Sequence, residues 1–383
     1  MSSGPPTTER PDGLDAERFW FGVASRLRGT HAIGRAPLTE LLELSQADGR
    51  DLGWQDVPHL ARLTGHAELS RPGHLLRFLA ALSRTLPIES ALDPFANSPL
   101  VLGLLEGDGA RMGVCPNREA AELADRISGG AIQWATGHPA TVVPTIEQYF
   151  EWAVCSPPLG LRGDGLSDLP DGLSDRLARA DAGLVPVAQA LPLINRGMLV
   201  LLTERFLWSQ IGRDWRSYFA SAGMHLSAAI AVPEGLAPAT GIPTVLCLFS
   251  REEADQLFVG RVTESTDVDV LAANLAGRRL AKVPELGALV DPGQFMGWTA
   301  FASRLALERA TKRSRVAMVP LSEVIVGIES GQSQPDEDPP TPHANALYFD
   351  ARVVRRITTT PPDRSSADDG HTSALNSVRE QGF

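Results

Sequence analysis

The chain is 383 residues long, 43% hydrophobic and 21% charged, enough apolar sequence for a large globular core and outside the range of disordered or low-complexity chains. Its formal net charge of −11 argues against a protein that binds nucleic acid through its whole surface. No apolar run approaches the roughly 20 residues of a membrane span, and the polar start is not a signal peptide, so a cytoplasmic protein with no membrane segment is expected.

Three cysteines, Cys115, Cys155 and Cys247, lie far apart in apolar surroundings. Their number and spacing fit buried free thiols rather than a disulfide framework or a zinc site. The opening 1–13 is rich in Pro, Ser and Thr and reads as disordered. Apolar spacing then predicts helices over 14–27, 37–44 and 57–63, a helical N-terminal region within 14–65. From there helix and strand alternate. Helices are predicted at 72–86, 99–105 and 117–127, the last with Asn117 as N-cap, and strands at 88–92, 111–115, 132–136 and 150–155. Asp-Gly-Leu-Ser-Asp then occurs twice, at 164–168 and 171–175, and reads as an exposed loop. A helix over 184–194, a turn at Asn195-Arg196-Gly197 and a strand over 198–203 follow. A helix over 206–222 leads to strands at 226–232, 244–249 and 257–262. This alternation implies a doubly wound, mostly parallel α/β sheet, in which ligands bind beyond the carboxyl ends of the strands.

Two such ends carry unusual residues. Asp93-Pro94 closes one strand, and the run Phe150 to Cys155 passes straight into Ser156-Pro157-Pro158-Leu159. Two consecutive prolines remove two amide donors, which frees the neighbouring carbonyls to face a ligand. An ordinary turn after a buried strand is the alternative.

Taken in order, these residues resemble the DNA adenine (N-6) methyltransferases, above all the modification subunits of type I restriction systems. The resemblance spans about 66–250. Leu69-Ser70-Arg71-Pro72 looks like the segment before the first strand that helps hold the methionine part of S-adenosylmethionine. Asp93-Pro94-Phe95-Ala96-Asn97-Ser98 looks like the cofactor loop Asp-Pro-Ala-Cys-Gly-Ser-Gly. Cys115 and Pro116 stand where the second strand presents an acid to the ribose. Ser156-Pro157-Pro158-Leu159 stands at the Asn/Asp/Ser-Pro-Pro-aromatic catalytic motif, and Thr240 to Thr244 at a late Thr-Gly-Ile-Pro-Thr-like run.

The resemblance implies a class I S-adenosylmethionine-dependent methyltransferase domain over 66–262, with a Rossmann-like doubly wound sheet behind the helical N-terminal region. It implies S-adenosylmethionine as cofactor, held by Pro72, Asp93, Pro94, Phe95, Asn97, Cys115 and Pro116. Ser156 and the Pro157 carbonyl would orient the exocyclic amine of a flipped adenine, Pro158 would complete the turn and Leu159 would take the stacking position. Double-stranded DNA and a specificity or restriction subunit are the implied partners, with no membrane and no metal. The sequence departs from the family at the site: Asn97 and Pro99 replace glycines, Cys115 replaces the acid, Leu159 replaces the aromatic, and Thr136-Gly137-His138 lacks an Asp. A fold kept with catalysis lost, as a DNA- or protein-binding subunit, is therefore the second reading, and methyl transfer to a small molecule the third. His66 and His138 are candidate bases with no spacing partner, and read more simply as surface or core histidines.

Downstream, helices are predicted at 268–275 and 298–311, and 263–315 reads as a helical basic region. Its Arg278, Arg279, Lys282, Arg304, Arg309, Lys312, Arg313 and Arg315 form either a phosphate-binding face or a solvated one. Residues 316–357 resemble the opening of a target-recognition domain, and 358–383 reads as a disordered tail.

Overall fold

The computed structural model describes residues 13–313 apart from 28–36, 51, 54–55, 65–72, 97, 99, 106–108, 164–168 and 233–241. The chain divides after Arg313, and the expected recognition-like segment 316–357 and tail 358–383 lie outside the described residues. So do His66, Pro72, Asn97 and the first copy of the repeat.

Among the described residues nine strands form one sheet: β1 (Ala91–Asp93), β2 (Arg111–Cys115), β3 (Gln133–Thr136), β4 (Phe150–Cys155), β5 (Ile194–Thr203), β6 (His225–Val232), β7 (Thr244–Ser250), β8 (Leu257–Arg261) and β9 (Ala288–Val290). Across the sheet they run in the order 3-2-1-4-5-7-6-8-9. β1 to β5 are parallel, β7 is antiparallel to β5 and β6, β8 is parallel to β6, and β9 closes the edge antiparallel to β8. The first seven strands in this order, with β7 reversed between β5 and β6, make the class I S-adenosylmethionine-dependent methyltransferase fold expected from the sequence. β8 and β9 extend it past β6.

The helices are α1 (Gly13–Leu27), α2 (Leu38–Ala47), α3 (Val57–Thr64), α4 (Gly73–Thr85), α5 (Leu100–Gly103), α6 (Arg118–Ser128), α7 (Pro139–Val142), α8 (Asp175–Ala180), α9 (Val185–Ala190), α10 (Arg205–Trp208), α11 (Gln210–Ser221), α12 (Val268–Ala276) and α13 (Trp298–Arg313). Successive side chains of β4 serve two cores: Ala153 and Cys155 join the layer of α8, α9 and α11, while Trp152 and Val154 join that of α4, α5 and α12. This double burial is why the parallel strands read as unbroken apolar runs. A third core joins α1, α2 and α3 to α6 and includes Cys115.

The third core is tied by a charge. Asp56 is fully buried after α2, where its carboxylate accepts from Trp20 Nε1 at 2.7 Å, Arg50 Nη2 at 2.7 Å and the Gly53 amide at 2.8 Å. One carboxylate thus joins α1, the α2–α3 loop and the first turn of α3.

Two of the expected boundaries move. β5 begins at Ile194, so Asn195-Arg196-Gly197 lies inside a strand and is not a turn. Arg196 reaches Glu151 of β4 at 3.6 Å, and Gly197 is the Cα partner of Trp152, whose ring would be 2.7 Å from any Cβ there. The glycine that reads as a turn signal is the space in which a tryptophan packs. The predicted helix over 206–222 is broken at Ser209, whose hydroxyl accepts from the Gly212 amide and starts α11 anew. The second Asp-Gly-Leu-Ser-Asp copy also departs from a plain exposed loop, because Leu173 is buried and Ser174 caps α8.

Two stability effects follow from these contacts. Asp56→Ala strands the partly buried Arg50 and the Trp20 ring N–H, and should cost about 3–5 kcal/mol. Gly197→Ala forces a methyl against Trp152 and the Phe249 carbonyl and should cost about 1–3 kcal/mol. Denaturant titration of the full chain measures both, and an unchanged midpoint in either variant contradicts the corresponding contact.

Candidate functional site

The carboxyl ends of β1, β2 and β4 meet around Asp93. Asp93 is 1% exposed and its Oδ1 accepts from the Phe95 amide at 3.0 Å. The loop then folds inward, with the Ala96 amide donating to the Val114 carbonyl at 2.9 Å. Pro94, Phe95, Ala96 and Ser98 are all buried. Cys115, at the end of β2, donates its thiol to the Asn117 carbonyl at 3.1 Å. Burial pushes that thiol up to about 11, and the charge of Asp93 adds to the shift. The Cys155 thiol is raised well above its usual range, again by burial first and by Asp93 second. Both are neutral, unreactive thiols at physiological pH. Pro116 is exposed, and Asn117 is committed as the cap of α6, accepting from the Glu119 and Ala120 amides.

The predicted residues therefore divide. Asp93, Phe95, Cys115 and the end of β4 are brought together, Pro116 faces outward, and Pro72 and Asn97 lie outside the described residues. His138 is exposed at the start of α7, where its carbonyl accepts from the Thr141 and Val142 amides.

What meets at this point does not fit S-adenosylmethionine as the family binds it. The ribose diol of that cofactor needs an acceptor, and the end of β2 offers a neutral thiol already donating inward. A lost charge-assisted bond of this kind is worth about 1.5–3 kcal/mol. One Asp93 carboxylate oxygen accepts from its own loop, and the buried Phe95 side chain follows directly on Pro94, where the family's loop has a small residue.

Ser156 and Pro157 are buried, Pro158 and Leu159 half-buried, and Gly160 turns the chain with φ +67°. Residues 179–183 hold this loop. The Ala182 amide donates to the Leu161 carbonyl at 2.7 Å, and the Gly163 amide to the Arg179 carbonyl at 3.4 Å. A Cβ on Gly183 would stand 2.7 Å from the Pro158 carbonyl oxygen, so only glycine lets the two segments approach as they do. Between them lies a cavity of about 10 Å³, room for one water, walled by Pro157, Pro158, Leu159, Asp181, Thr203 and Phe206 among others. A second cavity of the same size behind Ser156 is apolar, lined by Leu75, Leu79 and Val101.

Asp181 is the site residue that the sequence reading missed. Burial alone raises its carboxyl from the ordinary value near 3.8 to about 7. Among the described residues nothing donates a hydrogen bond to it. The signal was present as an acid standing directly before the apolar run 182–188.

Because the folded value of Asp181 lies above the unfolded one, the folded state holds the proton more tightly. The resulting stability is full at low pH and is lost as pH rises from about 4 through about 7. Asp181→Asn should melt like the native chain near pH 4 and above it near pH 8. Thermal melts of both proteins across that range test this, and parallel curves would contradict it.

No protein-family model and no curated protein matches the sequence. Solved structures do resemble it. The type I restriction-modification methyltransferase subunit from Streptococcus thermophilus is 12% identical, with 63% of this chain and 61% of that one covered and a TM-score of 0.47. The type IIG restriction endonuclease BpuSI is 15% identical over 72% of this chain and 38% of its own, also at 0.47. The M protein of the type I restriction enzyme EcoKI is 16% identical over 54% of this chain and 51% of its own, at 0.38. The chain thus spans less than two thirds of each. The strand order carries the fold by itself, and the solved structures that the chain resembles include methyltransferase subunits of type I restriction-modification systems, at 12–16% identity.

Proposed function

We propose that this chain is a methyltransferase-fold subunit of a DNA modification or restriction assembly whose own cofactor site is closed, and that it holds DNA without transferring a methyl group. One observation carries the closure: the polar groups at the ends of β1 and β2 are bound to their own loops, Asp93 to the Phe95 amide and the Cys115 thiol to the Asn117 carbonyl. The order of motif-like segments along the sequence and the class I strand order support the choice of assembly.

The basic residues downstream bear on how DNA would be held. Arg278 is not among the available ones: its guanidinium donates to the Ser227 and Gln256 carbonyls, at the amino ends of β6 and β8. α13 begins instead beside the carboxyl end of β5, where Glu204 accepts from the Trp298 amide at 2.5 Å. Arg304 and Arg309 on α13 are exposed, with Arg304 beside Glu308 at 3.7 Å and donating to Gln294 Oε1 at 3.2 Å.

The same geometry gives a second reading some support. Ser156-Pro157-Pro158 follows directly on the end of β4, which supports reading a chain that bound the cofactor as an adenine N-methyltransferase with Ser156 and the Pro157 carbonyl aiming the amine.

Calorimetric titration separates the two. No heat of S-adenosylmethionine binding should appear up to about 1 mM, an affinity limit near −4 kcal/mol. Clear binding below that would overturn the closure, and methyl transfer to duplex DNA should then be lost in Ser156→Ala and Asp93→Ala. DNA affinity itself should fall steeply as salt is raised if Arg304 and Arg309 meet phosphates. An affinity indifferent to salt would replace DNA by a protein partner.

A further inference from the structure

The cavity beside the Pro-Pro turn is lined by Pro157, Pro158 and Asp181 together with Thr203, whose hydroxyl can accept as well as donate. Pro157 and Pro158 have no amide hydrogen, and Asp181 contributes a carboxyl that no described residue bonds. Its size admits one water-sized group, such as an exocyclic –NH₂ entering at the mouth, and excludes a whole base. The remaining walls include the half-buried Leu159 and Phe206, which is 5% exposed. The cavity is also fixed, because Gly183 packs on the Pro158 carbonyl and Ala182 is bonded to Leu161.

We infer that Asp181 is the specificity-determining residue of a base-amine socket: it accepts a hydrogen bond from the exocyclic amine of an unpaired base held at the Ser156–Leu159 loop. This rests on the reading that the chain holds DNA, and it requires no methyl transfer. It moves the recognition of the amine from Ser156, where the sequence pattern puts it, to a residue 25 positions downstream on the opposing segment (181 − 156 = 25).

The test uses the full chain and two duplexes, one with a single unpaired adenine and one with unsubstituted purine at that position, which lacks only the amine. Fluorescence anisotropy should show the adenine duplex bound about tenfold tighter, the worth of one hydrogen bond. Asp181→Ala should abolish that preference, with circular dichroism confirming its fold. Equal affinity of the native chain for the two duplexes overturns the inference even if Asp181→Ala fails to fold, and so does a preference that survives in a folded Asp181→Ala. Displacement of the adenine duplex, but not the purine duplex, by a lysine-bearing peptide would reassign the socket to an ammonium. Absence of any DNA binding would sink the underlying reading instead.

Discussion

A sheet covered on both faces can release polar groups only at its strand ends, and this constraint arranges everything else in the molecule. Alternate residues of β4 and β5 enter two separate cores, so neither face has space for a charged side chain. Asp93, Cys115, Ser156 and Thr203 stand at or just past the carboxyl ends of their strands, and the polar chemistry of the domain is concentrated there. At that end the environment decides what each group can do. The Asp93 Oδ1 accepts from the Phe95 amide of its own loop, and burial first, with the charge of Asp93 adding to it, keeps the two neighbouring thiols protonated.

The order of elements was legible because each one states its environment locally. Buried parallel strands appear as apolar runs, and Asn117 announces α6 by the same side chain that caps it. Errors came where one residue type serves two physical ends. Gly197 was read for backbone freedom but is needed for its missing Cβ, under Trp152, as Gly113 is under Trp134. Ser209 sits in a helix-like stretch and restarts the helix, since a short hydroxyl is a better cap than an interior residue. Arg278 counts as basic in the sequence, yet its guanidinium is spent on two backbone carbonyls. Charge along a sequence is therefore a poor guide to charge available on a surface.

Half of the candidate site was legible for a related reason. Asp93 and Ser156-Pro157-Pro158 announce themselves because they follow apolar strands directly. Asp181 does not, because what brings it to the loop is non-local: the fit of Gly183 against Pro158 and the bond from Ala182 to Leu161. No spacing rule links positions 158 and 183. A carboxyl brought in by tertiary packing shows itself only through its burial and the lack of a partner.

The two halves of the site have diverged in kind. Where the fold's cofactor loop lies, acceptors are satisfied within the chain, and every such internal bond removes a contact that a ligand would need while adding to the stability of the loop. Beside the Pro-Pro loop, the Asp181 carboxyl has no donor among the described residues. The half-buried Asp181 carboxyl, with no donor among the described residues, carries a desolvation cost that its raised pKa records. Internal bonds at β1 and β2 beside an acceptor left open near β4 are what the proposed reading, with binding kept at one loop and chemistry lost at the other, would produce.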